Sequence, residues 1–376
     1  MTGGARLAVF VLLVTLGAAQ PPGAEQLFRD AVAAQQRGDF SAALRAYEGV
    51  LQARPDLVPA RANRAAVLVH LGRFDEAIAD YLALLRQEPG NAELRLNLAL
   101  AYYKNGDFAA AAPELQSLSK QRSGDARIAV LLGDCLVHLT RYDEAIALLG
   151  PVEAAHPADL DAAFVLGSAL VRSGKPREGL PFIERVARSG NGADAWLLAA
   201  ATQLRMGEFR AARESADAAL RLNPNLPGAH TVSGTAKGNL GDEEGAKTAF
   251  RKALEKDQND FEANLQLGHI LYEQRDLDQA AIFLGRALKI DPRSISARYE
   301  MALVKVAQRR DESAASDLES IAREVPAWLQ PHVVLATLYY RLNRPSDGLR
   351  EREIVARLTA EAESPATGVS GKPPLP

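Results

Sequence analysis

Six histidines are the side chains of this sequence best suited to metal binding or to proton transfer near neutral pH. They are His70, His138, His156, His230, His269 and His332. A zinc ion needs three or four converging ligands, and no pair of histidines or cysteines has the short spacing typical of such a site. Cys135 is the only cysteine, so it forms no internal disulfide, and we expect a small buried residue there. We predict no metal site and no cofactor.

Adjacent acidic residues are the second group that could do chemistry, as a general acid and a general base. Asp75 with Glu76 and Asp242 with Glu243 are examples. Neighbouring residues on a helix point about 100° apart, so such a pair does not converge on one substrate atom. Acidic residues also favour the first turn of a helix, where they interact with its dipole. The sequence has no glycine-rich phosphate loop and no nucleophile elbow, and we therefore predict that the chain is not an enzyme.

The segment that contains the first acidic pair recurs along the chain. DEAIA occupies residues 75–79 and occurs again at residues 143–147, which is twice 34 residues later. In a frame of 34 residues, ten repeats fill residues 24–362, with the fifth repeat one residue short. The repeats begin at Ala24, Val58, Ala92, Ala126, Leu160, Ala193, Pro227, Phe261, Ile295 and Leu329. A period of this length indicates helical hairpins that stack on their neighbours.

Small residues occupy two fixed places in every repeat. The eighth residues are Ala31, Ala65, Ala99, Gly133, Gly167, Ala200, Gly234, Gly268, Ala302 and Ala336. The twentieth residues are Ala43, Ala77, Ala111, Ala145, Gly179, Ala212, Ala246, Ala280, Ala314 and Gly348. Two helices approach to about 8 Å only where the side chains at their crossing are small. The pattern therefore predicts an antiparallel helix pair in each repeat.

Further fixed places predict where each helix ends. Glycine, which readily adopts the left-handed conformation that ends a helix, occupies the fifteenth place at Gly38, Gly72, Gly106, Gly174, Gly207 and Gly241. Proline, which cannot continue a helix, occupies the thirty-second place at Pro55, Pro89, Pro157, Pro224, Pro292 and Pro326. Large apolar residues occupy the twenty-fourth place at Tyr47, Tyr81, Leu115, Leu149, Ile183, Phe250, Leu284 and Leu318. We expect these large residues to pack the second helix of each repeat against its partner.

This pattern closely resembles the tetratricopeptide repeat family. The repeat of that family has small residues at the eighth and twentieth places, an aromatic residue at the twenty-fourth and proline near its end. The resemblance implies an all-α fold, an α–α superhelix (TPR solenoid) of ten helix-turn-helix repeats. It also implies a concave face that is lined by the first helices of the repeats and that holds the ligand.

The two ends of the chain differ from the repeats. Arg6, the apolar run 7–16 and the small residues that end at Ala19 follow the order of a secretory signal, so we predict a signal peptide at residues 1–19. An uncleaved N-terminal anchor is the alternative. We expect no membrane span in the mature chain, and a periplasmic or extracellular location. Residues 363–376 are rich in proline, glycine and serine, which predicts a disordered tail.

The resemblance assigns ligand contacts to the second, fifth, sixth, ninth, twelfth and thirteenth residues of the first helices. The partner-binding residues predicted in this way are Asn63, Asn97, Leu100, Tyr103, Arg127, Asp134, Arg172, Arg205, His269, Tyr272, Tyr299 and Tyr340. Their mixture of apolar and polar groups suits an extended or helical peptide. The carboxylate clamp of chaperone-binding relatives is not predicted, because only Asn97 and, loosely, Arg127 match it. The formal net charge of -3 leaves no basic excess for nucleic acid.

These features predict an exported, non-catalytic scaffold that binds a protein or peptide in its concave groove. By the resemblance, the setting is the assembly of an envelope, a pilus or a secretion apparatus. A first alternative is a regulatory or substrate-recruiting subunit of a separate enzyme, such as a glycosyltransferase. A second is self-assembly, but Arg352 stands where other repeats have a large apolar residue, which favours a polar cap at the end of the stack. We therefore expect a monomer.

Overall fold

The computed structural model of the protein describes residues 22–190 and 192–363. These residues form α-helices joined by short turns and contain no strand, which confirms the all-α prediction. The predicted signal peptide lies outside the described residues. So does the predicted tail, except for Glu363, which was assigned to the tail but is the last residue of a helix.

The chain divides into two compact units, Met1–Gly190 and Asn191–Pro376. The first unit contains α1 (Pro22–Gln36), α2 (Phe40–Ala53), α3 (Val58–His70), α4 (Phe74–Gln87), α5 (Ala92–Lys104), α6 (Phe108–Gln121), α7 (Ala126–His138), α8 (Tyr142–Ala155), α9 (Leu160–Arg172) and α10 (Pro176–Ala187). The second unit contains α11 (Ala193–Arg205), α12 (Phe209–Leu222), α13 (Ala229–Asn239), α14 (Glu243–Lys256), α15 (Phe261–Glu273), α16 (Leu277–Ile290), α17 (Ile295–Ala307), α18 (Asp311–Glu324), α19 (Leu329–Arg341) and α20 (Pro345–Glu363).

Each repeat of the sequence supplies one odd-numbered first helix and one even-numbered second helix. Eight first helices begin at the first residue of a repeat. The first helix of the seventh repeat, α13, begins two residues later than Pro227, because Gly228 adopts a left-handed φ of 75° just before it. Within each unit, a helix packs against the next helix along the chain, and neighbouring first helices also touch, as in the pairs α3 with α5 and α15 with α17.

The crossing sites explain why this packing is possible. Every alanine at the eighth and twentieth places is buried. In the fifth repeat both places are glycine, and a Cβ added to Gly179 would lie 2.6 Å from the carbonyl oxygen of Gly167. In the fourth repeat, a Cβ at Gly133 would lie 2.5 Å from Cδ1 of Leu149, the fully buried residue at the twenty-fourth place. The helices of these two repeats are therefore close enough to exclude even a methyl group.

The turn after each first helix is left-handed in all ten repeats. The six glycines at the fifteenth place have φ between 74° and 86°. The other four repeats have the same turn without glycine, at Thr140, Arg275, Arg309 and Asn343, with φ between 57° and 64°. Residues with a Cβ other than asparagine and aspartate avoid this region, so tertiary packing must impose it at Thr140, Arg275 and Arg309.

Short polar side chains fix where many of the helices begin. Asn91, Asp125, Asp159, Asp260 and Ser294 accept hydrogen bonds from backbone N–H groups in the first turn of the first helix that follows them. Because these residues share the last place of their repeats, successive first helices start in the same register. The same places along successive helices therefore line one face.

Candidate partner-binding faces

The side chains at the predicted ligand places of the first helices form what we call the first-helix face of each unit. Residues three or four apart on a helix lie on the same side, which is why the fifth, ninth and twelfth places share a face. In the first unit this face comes from α1, α3, α5, α7 and α9, and in the second unit from α11, α13, α15, α17 and α19.

On the first unit, two of the predicted residues meet across neighbouring helices. The hydroxyl of Tyr103, on α5, donates a hydrogen bond to Oδ2 of Asp134, on α7. Burial and this hydrogen bond raise the pKa of Tyr103. The ring of Tyr103 also meets Phe108 edge-on, at 5.5 Å between centroids. Both side chains are thus positioned by the protein itself, and only their remaining exposed surface is free to contact a partner.

A contact between aromatic rings and histidines was missed by the sequence analysis. The rings of Phe40 and His70 stack at 4.3 Å with an interplanar angle of 4°, and those of Phe108 and His138 stack at 4.0 Å and 5°. Each phenylalanine holds the seventeenth place of one repeat and each histidine the thirteenth place of the next. Burial, followed by the charge of Lys104, lowers the pKa of His70. The recurrence of this pair of residue types 68 positions along the chain was the available signal.

Three of the predicted partner-binding residues need correction, because they are buried. Asn63, Asn97 and Leu100 lie where neighbouring helices cover them, so they cannot reach a partner in this conformation. Burial raises the pKa of the Tyr47 hydroxyl, and a hydrogen bond with Asn63 opposes that effect. Asn63 therefore interacts with an aromatic side chain of the preceding repeat.

Two predicted arginines of the first unit are accessible. Arg127 is exposed and pairs with Asp125 at 3.1 Å, and its guanidinium group lowers the pKa of that carboxyl. Arg172 is exposed in the last turn of α9. Neither of them lies within a cluster of the other predicted residues, but both could contact an acidic or polar group of a partner.

On the second unit, predicted residues come together from two neighbouring first helices. His269 and Tyr272 lie on α15, and Tyr299 lies on α17 beside Glu300. Nδ1 of His269 is 3.1 Å from Oε2 of Glu300. The ring of Tyr299 packs against Trp328, the residue just before α19, at 4.6 Å and 53°. We call these five residues the His269–Trp328 cluster.

The charged groups in and around this cluster shift the pKa values of His269 and Tyr299. The carboxylate of Glu300, whose Oε2 lies 3.1 Å from Nδ1, raises the pKa of His269 against the effect of burial, and the nearby carboxylates of Glu273 and Glu243 add to this increase. Burial raises the pKa of Tyr299 to about 12, with further contributions from Glu300 and Tyr272. The carboxylates and tyrosine hydroxyls therefore share one small region, where they favour a positive charge.

The last two predicted residues lie apart from this cluster. Arg205 is exposed in the last turn of α11. Tyr340 is partly exposed on α19, and the guanidinium group of Arg352, on α20, lies 4.6 Å from its ring centroid. Arg352 therefore covers part of the predicted binding surface of Tyr340, which is a role that its place in the repeat did not reveal.

Two general features of the described segments bear on function. Residues 22–190 and 192–363 contain no group of three or more His, Cys, Asp and Glu side chains arranged to hold a metal ion. Within the same residues, no helix combines the length and the apolar character needed to cross a membrane.

Known proteins resemble this chain in sequence pattern and in fold. One sequence profile described as tetratricopeptide repeat matches residues 72–135, 103–169 and 240–306, and a second with the same description matches residues 21–92 and 164–227. No curated protein matches the sequence at a significant level.

Solved structures resemble this chain at low sequence identity. The crystal structure of the APC/C hetero-tetramer Cut9-Hcn1 is 14% identical, with a TM-score of 0.50, over 91% of this chain and 76% of that chain. MamA from Desulfovibrio magneticus RS-1 is 22% identical, with a TM-score of 0.43, over 46% of this chain and 99% of that chain. Yeast Tom70 is 13% identical, with a TM-score of 0.38, over 89% of this chain and 92% of that chain. Because the two profiles together cover more than half of the sequence, the chain belongs to the tetratricopeptide repeat family.

Proposed function

We propose that this protein is an exported, non-catalytic scaffold that binds a protein or peptide partner along its first-helix faces. The tetratricopeptide repeat fold suggests protein–protein interaction. The proposal depends on the His269–Trp328 cluster, where half-buried tyrosines of the neighbouring first helices α15 and α17 lie close enough to act on each other electrostatically. Aromatic side chains supply large contact area at a low cost in conformational entropy, and they are enriched at binding hot spots.

Export rests on the N-terminal sequence alone. The basic, apolar and small-residue order of residues 1–19 is that of a secretory signal. A periplasmic or extracellular scaffold would serve the assembly of an envelope, a pilus or a secretion apparatus. The intact mass of the protein isolated from its host tests this: removal of residues 1–19 leaves a chain that begins at Gln20. A full-length mass in a membrane fraction would instead support an uncleaved anchor.

Site-specific photo-crosslinking in the native compartment tests where the partner binds. The chain offers a matched pair of positions, because Val333 on the first helix α19 and Ile282 on the second helix α16 are each 46% exposed. A photo-reactive amino acid at Val333 should capture a discrete partner, and the same amino acid at Ile282 should not. Equal capture at both positions, or capture at neither, would refute a first-helix binding face.

Mass spectrometry of the captured species then separates a structural partner from the catalytic chain of an enzyme.

A second pair of positions extends the crosslinking test to the first unit. Arg172, in the last turn of α9, is exposed on the first-helix face, and Arg45, on α2, is exposed on a second helix. We expect capture from Arg172 and none from Arg45.

A further inference from the structure

The His269–Trp328 cluster combines aromatic rings with a carboxylate that is largely removed from water. Tyr272 lies one turn after His269 on α15, and Tyr299 and Glu300 are consecutive on α17, so two helices in contact supply four of its five residues. Trp328 packs against the ring of Tyr299. The ring of Tyr299 is therefore held in place from one side, which preserves its orientation for a ligand.

The negative charge of the Glu300 carboxylate has to be compensated by a nearby positive charge. The Glu300 side chain is only 19% exposed, and its buried Oε2 lies 3.1 Å from Nδ1 of His269 without a hydrogen bond of good geometry to any described residue. Removing a carboxylate from water is costly unless a positive charge or hydrogen bonds compensate for it. In this site the compensating charge comes from a histidine, which carries it only when protonated.

Two further carboxylates near His269 make the site more negative, and the nearby cations do not pair with Glu300. Glu273 lies on the same helix and Glu243 begins α14, and both raise the pKa of His269. Arg275, in the turn after α15, acts on Tyr272 but forms no ion pair with Glu300 within the described residues. On α14, Lys247 is already paired with Glu244. No permanent cation among the described side chains thus contacts Glu300.

We propose that this cluster binds a lysine or arginine side chain of the partner, with the cation at Glu300 and against the rings of Tyr272 and Tyr299. The inference rests on the proposed function and specifies the chemistry of its partner. Cations are attracted to the faces of aromatic rings, and a carboxylate provides a charge-assisted hydrogen bond. A single carboxylate suits an organic cation better than a metal ion, which requires several ligands.

His269 makes this recognition dependent on pH. Protonated His269 occupies Glu300 and competes with an incoming cation, whereas neutral His269 leaves the carboxylate available. The ligand should therefore bind more tightly as the pH rises through the pKa of His269. A surface that attracted cations only by its acidic charge would show no such increase, so the pH profile identifies the mechanism.

The test uses the complete chain, small-molecule probes and isotope-labelled tyrosine rings. Nα-acetyl-arginine amide is the cationic probe, and Nα-acetyl-citrulline amide is its neutral control of nearly the same shape. We expect saturable NMR shifts of the Tyr272 and Tyr299 rings with the arginine probe only, and tighter binding at pH 8 than at pH 6. Shifts of equal size with both probes, or none with either, would overturn the proposal.

Two variants test which residues bind the arginine probe and which residue makes that binding depend on pH. Glu300→Gln keeps the shape of the side chain and should weaken binding of the arginine probe by about tenfold or more, the scale of a hydrogen bond to a charged group. His269→Gln should remove the pH dependence, so that this variant binds the arginine probe equally at pH 6 and pH 8. If Glu300→Gln proves unfolded by circular dichroism, Tyr272→Leu replaces it, since this half-exposed ring can be removed while the apolar bulk is kept.

The outcome can be separated from that of the scaffold proposal. Capture of a partner at Val333 but not at Ile282, together with no selective binding of the arginine probe, would retain the scaffold and overturn only the cation site. Selective probe binding with the predicted pH profile supports the site. A partner whose crosslinked segment contains no lysine or arginine near Tyr272 would count against it.

Discussion

The Nδ1 atom of His332, on α19, lies 2.6 Å from the Oε2 atom of Glu351, on α20. The other ring nitrogen of His332 is 3.2 Å from the carbonyl oxygen of Pro326. Carboxylate and carbonyl oxygens are both hydrogen-bond acceptors, and the imidazole contacts one of them through each ring nitrogen. His332 is buried, and this pair therefore joins the last helix of the second unit to the helix before it.

Replacement of Glu351 by alanine should loosen α20, because it leaves the buried imidazole without its charged partner. Breaking a buried pair in this way costs about 3 kcal/mol. Amide exchange measured by mass spectrometry should become faster in residues 345–363, while residues in the first unit keep their rate. Glu353→Ala, at an exposed position on the same helix, is the control and should have little effect. Equal exchange in the two variants would contradict a structural role for the pair.

Gly179→Ala should destabilise the first unit. The added Cβ would lie 2.6 Å from the carbonyl oxygen of Gly167, a backbone atom that cannot move without shifting a helix. Overpacking of this kind costs about 1–3 kcal/mol. Chemical denaturation measures the effect. Gly49→Ala is the matched control, because its Cβ would lie 3.8 Å from Leu27 and the substitution should raise stability by about 0.5–1 kcal/mol. Unchanged stability of Gly179→Ala would mean that the crossing is not as tight as described.

Thr140→Gly should stabilise the first unit, although glycine normally weakens a folded protein. Thr140 has φ of 59°, a left-handed conformation that costs a residue with a Cβ about 1–2 kcal/mol. Glycine removes this strain but costs about 0.5–1 kcal/mol in chain entropy, so a net gain of up to about 1.5 kcal/mol should remain. The reverse change, Gly106→Thr, at φ of 78° in the preceding repeat, should lower stability in the same denaturation experiment. A loss of stability in Thr140→Gly would show that the turn is unstrained.

The sequence predicted those parts of the fold in which two helix backbones pass close to each other or the chain turns sharply. Small residues at the crossing sites and glycine in the turns leave few alternatives, which is why the helix pairs follow from residues such as Gly167 and Gly179. The left-handed turns at Thr140 and Arg275 could not be predicted, because neither residue favours that conformation on its own. There the packing of the two flanking helices overrides local preference.

The binding faces were less predictable, because they depend on contacts between repeats. The position of a residue within its repeat predicts the direction of its side chain. It does not predict whether the neighbouring repeat buries that side chain. Asn97 and Leu100 share the face of Tyr103 in the sequence frame, yet both are buried. The stacking of Phe108 with His138 likewise joins two repeats and requires their relative register, which the spacing within one repeat does not contain.

Stability should depend on pH through His269, with a sign set by its raised pKa. The carboxylate of Glu300 raises that pKa above the usual value of about 6.5, so the native state binds the proton more tightly than the unfolded state does. This contribution is complete below the unfolded pKa and is lost as the pH rises through the native one. His269→Gln should therefore lower the stability of the second unit near pH 5 and change it much less near pH 8.5. Because His269 is 45% exposed, solvent screening keeps the effect small, and amide exchange in α15 and α17 is a more sensitive measure than global unfolding. His156→Gln, at an exposed turn position, is the control, and a difference between the two variants that did not depend on pH would contradict the proposed ion pair.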